Sequence, residues 1–120
     1  MVYSASNKLI QFCKKTFKEP DVIMDLYDQT FAWASNKVVE ILGFTHKELS
    51  NMRVFDLRIM KETTEEELAK RMQKEEFIDD MLFKTKKGTQ VMATVKVKYV
   101  EFNKNPYHLV KIIKYTSKKN

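Results

Sequence analysis

The stretch from Ser35 to Leu49 most narrows what this chain can fold into. Val38, Val39, Ile41 and Leu42 stand at i, i+1, i+3 and i+4, which gathers them on one face of a short helix. Gly43 follows where a left-handed C-terminal cap is expected. Thr45 and Glu48 then have the spacing of a capping box, so a second helix begins at once. Two short helices, each closed by its own cap and set between strand-like segments, predict a compact connector folded over a sheet.

The flanking segments supply that sheet. Asp21 to Leu26 is an apolar, strand-like run, Tyr27 to Thr30 reads as a turn, and Phe31 to Ala34 returns as a second strand. The two-residue period of a strand places Phe31 and Trp33 on one face. Later, Phe77, Met81 and Phe83 share one parity. After a turn ending in Gly88, Val91, Ala93, Val95, Val97 and Tyr99 alternate strictly with Thr94, Lys96 and Lys98. Asn103 to Pro106 reads as another turn, and Tyr107 to Tyr115 as the closing strand. A crossing from the second strand to the third through helices, then two hairpins, gives a five-stranded antiparallel sheet with helices on one face, an α+β architecture.

Residues 4 to 18 read as an amphipathic helix, with Leu9, Ile10, Phe12, Cys13 and Phe17 along one stripe and lysines opposite. Pro20 ends it. That stripe must be buried, either on the chain's own sheet or against a second copy as a dimer helix. Asn51 to Met60 has irregular apolar spacing and reads as connector. A further helix is expected from Thr63 or Thr64, with Thr64 and Glu67 as its capping box and a thin buried side of Leu68 and Met72. The chain divides into a flanking helix (1–20), a core domain (21–117) and a short tail (118–120).

Asn36, Ile41-Leu42-Gly43-Phe44-Thr45 and Glu48-Leu49 together resemble the "N…LLGYTxEEL" signature of PAS sensor domains. The resemblance spans Asp21 to Ser117 and implies the PAS fold, with a pocket between the sheet and its helical connector. Position and parity nominate Phe31, Trp33, Met52, Phe55 and Met72 as pocket residues. Asn36 joins them because it matches the motif asparagine; its other role is a helix cap. Relatives of this kind commonly pair through an N-terminal helix, which implies a homodimer or an effector signalling domain as partner. The chain departs from the pattern at Asp28-Gln29, where a glycine is usual. It departs again at Lys114-Tyr115-Thr116, where an Asp-Ile-Thr-like triplet usually leads to an effector.

Cofactors of the family leave their own marks. Haem-binding members carry a histidine on the long helix before the third strand, and residues 64 to 76 hold none. LOV photosensors, a PAS subgroup, use an Asn-Cys-Arg-Phe-type motif whose cysteine bonds flavin. Asn51-Met52-Arg53-Val54-Phe55 has methionine at that place. Haem and covalent flavin are therefore not expected.

Composition closes off other chemistries. With one cysteine, Cys13, and two histidines, no intrachain disulfide and no cysteine-rich zinc centre can form. Two glycines, Gly43 and Gly88, cannot build a phosphate loop. The carboxylates show no general acid/base or calcium spacing, and no nucleophilic triad is present, so the chain does not read as an enzyme. His46 reads as an exposed first-turn residue after the Thr45 cap. His108 reads as a surface or edge histidine. No apolar run reaches the roughly 18–20 residues of a membrane span, and the whole suits a reducing cytoplasm.

Net charge is +6, and from Lys84 onward ten lysines face one glutamate. That basic half reads as a solvated sheet surface, since exposed lysine guards strand edges. Arginine, the better fork for bases and phosphates, is scarce there, so nucleic-acid binding is not expected. The resemblance and the residues together point to a PAS-type sensory domain that binds a small apolar or aromatic molecule, or a partner domain, and mediates dimerisation. The alternatives are a ligand-free interaction module and a small nucleic-acid-binding α+β protein.

Overall fold

A computed structural model describes residues 2–59 and 75–118. The helix expected from Thr63 or Thr64, and with it Met72, lies outside these residues. Ser6 caps the first helix, α1 (Asn7–Thr16), its Oγ accepting from Leu9 N at 3.2 Å. Strands β1 (Val22–Asp25) and β2 (Phe31–Ala34) form a hairpin. Helices α2 (Asn36–Leu42), α3 (His46–Ser50) and α4 (Val54–Leu57) lead to a two-residue strand, β3 (Arg58–Ile59). Strands β4 (Glu76–Lys84), β5 (Gln90–Phe102) and β6 (Asn105–Lys118) complete one antiparallel sheet in the order β2-β1-β6-β5-β4-β3. The sheet thus has six strands rather than five. The extra one is β3, whose Arg58 and Ile59 pair with Phe83 and Leu82; two residues are too few to show a period.

Local chemistry sets the element ends. Gly43 closes α2 at φ 80°, and its N–H donates to Val39 O. Thr45 Oγ1 accepts from Glu48 N while Glu48 Oε1 accepts from Thr45 N, both at 3.1 Å, so the capping box is complete. Asn103 and Lys104 both take positive φ between the paired residues Phe102 and Asn105. Two left-handed residues in a two-residue loop match the right-handed twist of the long β5–β6 hairpin.

The hairpin β1–β2 carries a bulge that inverts one expectation. Ile23 pairs with Trp33 but Met24 pairs with Phe31, which leaves Ala32 as an extra residue. One added residue flips the parity between its neighbours. Phe31 therefore points to one side of the sheet and packs with Val38 and Leu49, whereas Trp33 points to the other and packs beside Leu9 and Cys13. The shared face expected for Phe31 and Trp33 is corrected accordingly.

Each face of the sheet has its own cover. On the outer face, Leu9, Cys13 and Phe17 of the α1 segment are buried against Ile23, Val100, Tyr107 and Leu109. Of the two fates open to the amphipathic stripe, the chain's own sheet takes Leu9, Cys13 and Phe17, so these three are not left for a dimer contact. Ile10 and Phe12 pack at the margin of the same cluster. On the inner face, α2, α3 and α4 cover Val22, Met24 and Phe31. Buried Asp21 ties the two ends of this layer together. Its carboxylate accepts from Ser35 Oγ at 3.0 Å and from Ile112 N at 2.8 Å, and its backbone bonds Ser35 and Val110. The Ile112 N–H lies beside a second bulge, where Ile113 is extra and exposed.

Candidate functional site

Between the inner face and the three short helices lies a cavity of about 120 Å³. Strict alternation along β5 aims Val91, Ala93, Val95 and Val97 into it. The helices contribute Val38, Ile41 and Leu42 from α2 and Val54 and Phe55 from α4. Its wall is almost wholly apolar, with Gln29, Arg58 and His108 as the polar exceptions. The backbone closes the shell. Val54 N donates to Gln29 O at 2.8 Å, and Lys86 N donates to Leu42 O at 2.9 Å, so the β1–β2 and β4–β5 turns both grip the helical layer. Gln29 does so from φ 63°, in the turn where the related pattern has glycine.

His108 is the chemical exception in this wall. It lies on β6 two residues from Val110 and four from Ile112, and all three line the cavity. Its ring stands edge-on to Phe77 and Tyr99, with each centroid 6.1 Å away. Only 9% of the residue is exposed, and burial pushes its pKa down to about 4, so the imidazole is neutral at ordinary pH. Its Nε2 is buried and has no hydrogen-bond partner among the described residues. The surface or edge position expected for His108 is therefore corrected. The missed signal was register: β6 residues that share a face with Val110 must include His108, but only the pairing with β1 and β5 shows that this face is the inner one.

The nominated pocket residues divide. Phe31 and Phe55 line the cavity. Met52 packs within the helical layer without reaching the cavity wall. Trp33 and Asn36 sit instead in a separate shallow cleft, with Tyr3 and His46. There Tyr3 Oη lies 2.6 Å from His46 Nδ1, and His46 Nε2 lies 2.7 Å from Asn36 Oδ1. In a neutral ring Nε2–H donates to Asn36 and Nδ1 accepts the Tyr3 hydroxyl. Burial pushes that hydroxyl up to about 12. The α2 cap is Ser35, whose Oγ accepts from Val38 N, so Asn36 holds neither of its expected roles. His46 does open α3 as expected, but it is half-buried and bonded at both nitrogens.

Among the described residues no cluster of three or more His, Cys, Asp or Glu side chains could hold a metal. Nor is any helix among them long and apolar enough to cross a membrane.

No family model matches the sequence. No curated protein matches it either. Solved structures do. A PAS domain from a two-component sensor histidine kinase superposes with a TM-score of 0.68 at 11% identity, over 95% of this chain and all of that one. A PAS domain from Desulfitobacterium hafniense gives 0.60 at 22% identity, over 80% of this chain and 95% of its own. The PAS domain of the fruit-fly ELK potassium channel gives 0.60 at 14%, over 90% and 98%. At such identities the likeness is one of fold, and the chain has a PAS-like fold.

Proposed function

We propose that this chain is a PAS-type sensory and signalling module without catalytic activity of its own, and that it acts by binding a small apolar or aromatic molecule between sheet and helical connector. The observation that carries this reading is the apolar cavity enclosed by β5, α2 and α4. A well-packed domain rarely keeps a void lined mostly by methyl groups and rings, because each lost contact costs stability. Occupancy would restore those contacts. A ligand that fits one arrangement of the short helices better than another shifts the balance between them, and that shift is the signal. The structural neighbours from a sensor histidine kinase and a potassium channel are settings in which such a fold is used.

Mass spectrometry of the freshly purified chain, native against denatured, tests the reading. The expected result is extra native mass that disappears on denaturation, with no flavin or haem band in the absorbance spectrum. A native mass equal to one or two bare chains would count against it. The second reading, a ligand-free dimerisation module, is favoured by Ile78 on β4 and Ile113 at the β6 bulge, 64% and 51% exposed. Dimers of bare mass, lost when Ile78 and Ile113 are both changed to lysine, would establish it.

A further inference from the structure

Nothing in an apolar cavity requires a histidine. A histidine there loses its hydration, and a buried nitrogen without a partner costs more than the hydrogen bond it replaces. His108 nonetheless lies in the cavity wall with Nε2 buried and unpartnered among the described residues. Its neighbours do not compensate. Phe77 offers only an aromatic ring at 6.1 Å, and the Tyr99 hydroxyl is turned away to donate to Glu101 at 2.9 Å. Apart from Gln29 and Arg58 the rest of the wall is methyl groups and aromatic carbon, so His108 is a fixed polar point in a mostly apolar shell.

Volume sets the size of what can meet it. An apolar cavity of about 150 Å³ takes one benzene ring, and this one measures about 120 Å³. A single small ring fills it and a fused pair does not. Charge sets the polarity. The imidazole is neutral, and an anion brought into this shell would lose its hydration, while the guanidinium of Arg58 in the wall already stacks over Phe55 at 6.0 Å. Hydrogen-bond capacity sets the group. A hydroxyl both donates and accepts, so it satisfies Nε2 whichever tautomer the ring adopts, whereas a carbonyl serves only one.

Resting on the pocket reading above, we infer that the cavity selects a neutral, single-ring molecule bearing one hydroxyl, held by a hydrogen bond to His108 Nε2. His108 is then the specificity-determining residue of the site, and the β5 valines supply affinity without discrimination.

Phenol, benzene and benzoate are probes that separate these contributions. Each is titrated into the full chain while the methyl signals of Val95 and Val97 are followed by NMR, and the His108 imidazole nitrogens are followed in the same samples. Phenol is expected to bind about tenfold more tightly than benzene, the ratio for one buried hydrogen bond. It should move the Nε2 signal, which benzene should leave in place, and benzoate should bind more weakly than either. In His108→Leu the preference for phenol should vanish while benzene still binds. Equal affinity for phenol and benzene, an Nε2 signal that phenol does not move, or benzoate binding as tightly as phenol would each overturn the role of His108 and leave the pocket reading standing. Methyl signals that respond to none of the three rings would overturn both. Should His108→Leu fail to fold, the Nε2 response of the unaltered chain decides.

Discussion

The two faces of this sheet are built from similar residues and packed to different ends. Outside, α1 presses Leu9 and Cys13 onto Ile23 and Leu109, all of them at most 3% exposed, and that interface is filled. Inside, three helices of four to seven residues bridge over β5 and leave a cavity. One regular helix can lay a continuous stripe on a sheet. Three short ones joined by caps cannot, because each cap turns the chain before the next stripe is established. The outer face is therefore closely covered, and the inner face keeps a void.

The sharpest way to break that contrast is to remove side chains from both faces. Leu9→Ala should cost about 2–5 kcal/mol, the range for a fully buried leucine whose surroundings cannot collapse. Ile41→Ala, on the cavity wall, should cost less than half as much because the methylenes removed already face a void on one side. Urea unfolding of both variants measures the difference. Equal losses would mean that the inner face is packed as tightly as the outer.

His108 on the inner face and Cys13 on the outer are both buried, and the two act at opposite ends of the pH range. His108 inside has its pKa lowered from 6.5 to about 4. Between those values the unfolded chain takes up a proton that the folded chain refuses. Stability is therefore full above 6.5 and falls as pH drops toward 4, by about 3 kcal/mol in all. Cys13 outside has its pKa raised from 9.0 to about 11 by burial. The unfolded thiol ionises first, so stability falls as pH rises across that window, by about 2–3 kcal/mol. Unfolding curves on either side of each window should show His108→Leu lacking the acid loss and Cys13→Ala lacking the alkaline one. A bound phenol should deepen the acid limb, and bound benzene, which has no proton to lose, should leave the alkaline limb unchanged, since only the inner site would be occupied.

What was legible in the chain divides along the same line. The caps at Gly43 and Thr45 were readable because each is settled within four residues of chain. The alternation from Val91 to Val97 was readable because β5 is long and one of its faces is apolar. The opposite orientations of Phe31 and Trp33 were not, since the single extra residue Ala32 reverses parity without changing composition. The inward position of His108 depends on pairing with β1, more than eighty residues earlier in the chain. The α1 stripe announced that it would be buried but not against what, because a sheet and a second helix both accept the same spacing. Asn36 was misplaced for a different reason: the adjacent Ser35 competes for the cap, and only the folded geometry brings His46 within reach of the asparagine.

Alanines on the two faces give the smallest and most direct comparison. Ala32 and Ala93 are both essentially buried, the first in the outer cluster and the second on the cavity wall. Ala32→Leu adds three carbons where no space exists, so it should destabilise by about 1–3 kcal/mol through displaced side chains. The same three carbons from Ala93→Leu enter the cavity, where each finds partners, and should stabilise the fold by about 0.5–2 kcal/mol. Binding should respond in the opposite sense: Ala93→Leu should abolish uptake of phenol and benzene while Ala32→Leu retains it. A domain selected only for stability would have filled that space, since one substitution on β5 suffices. If Ala93→Leu instead destabilises as much as Ala32→Leu, the inner layer already closes on itself, and the two faces differ in how they are covered but not in how well.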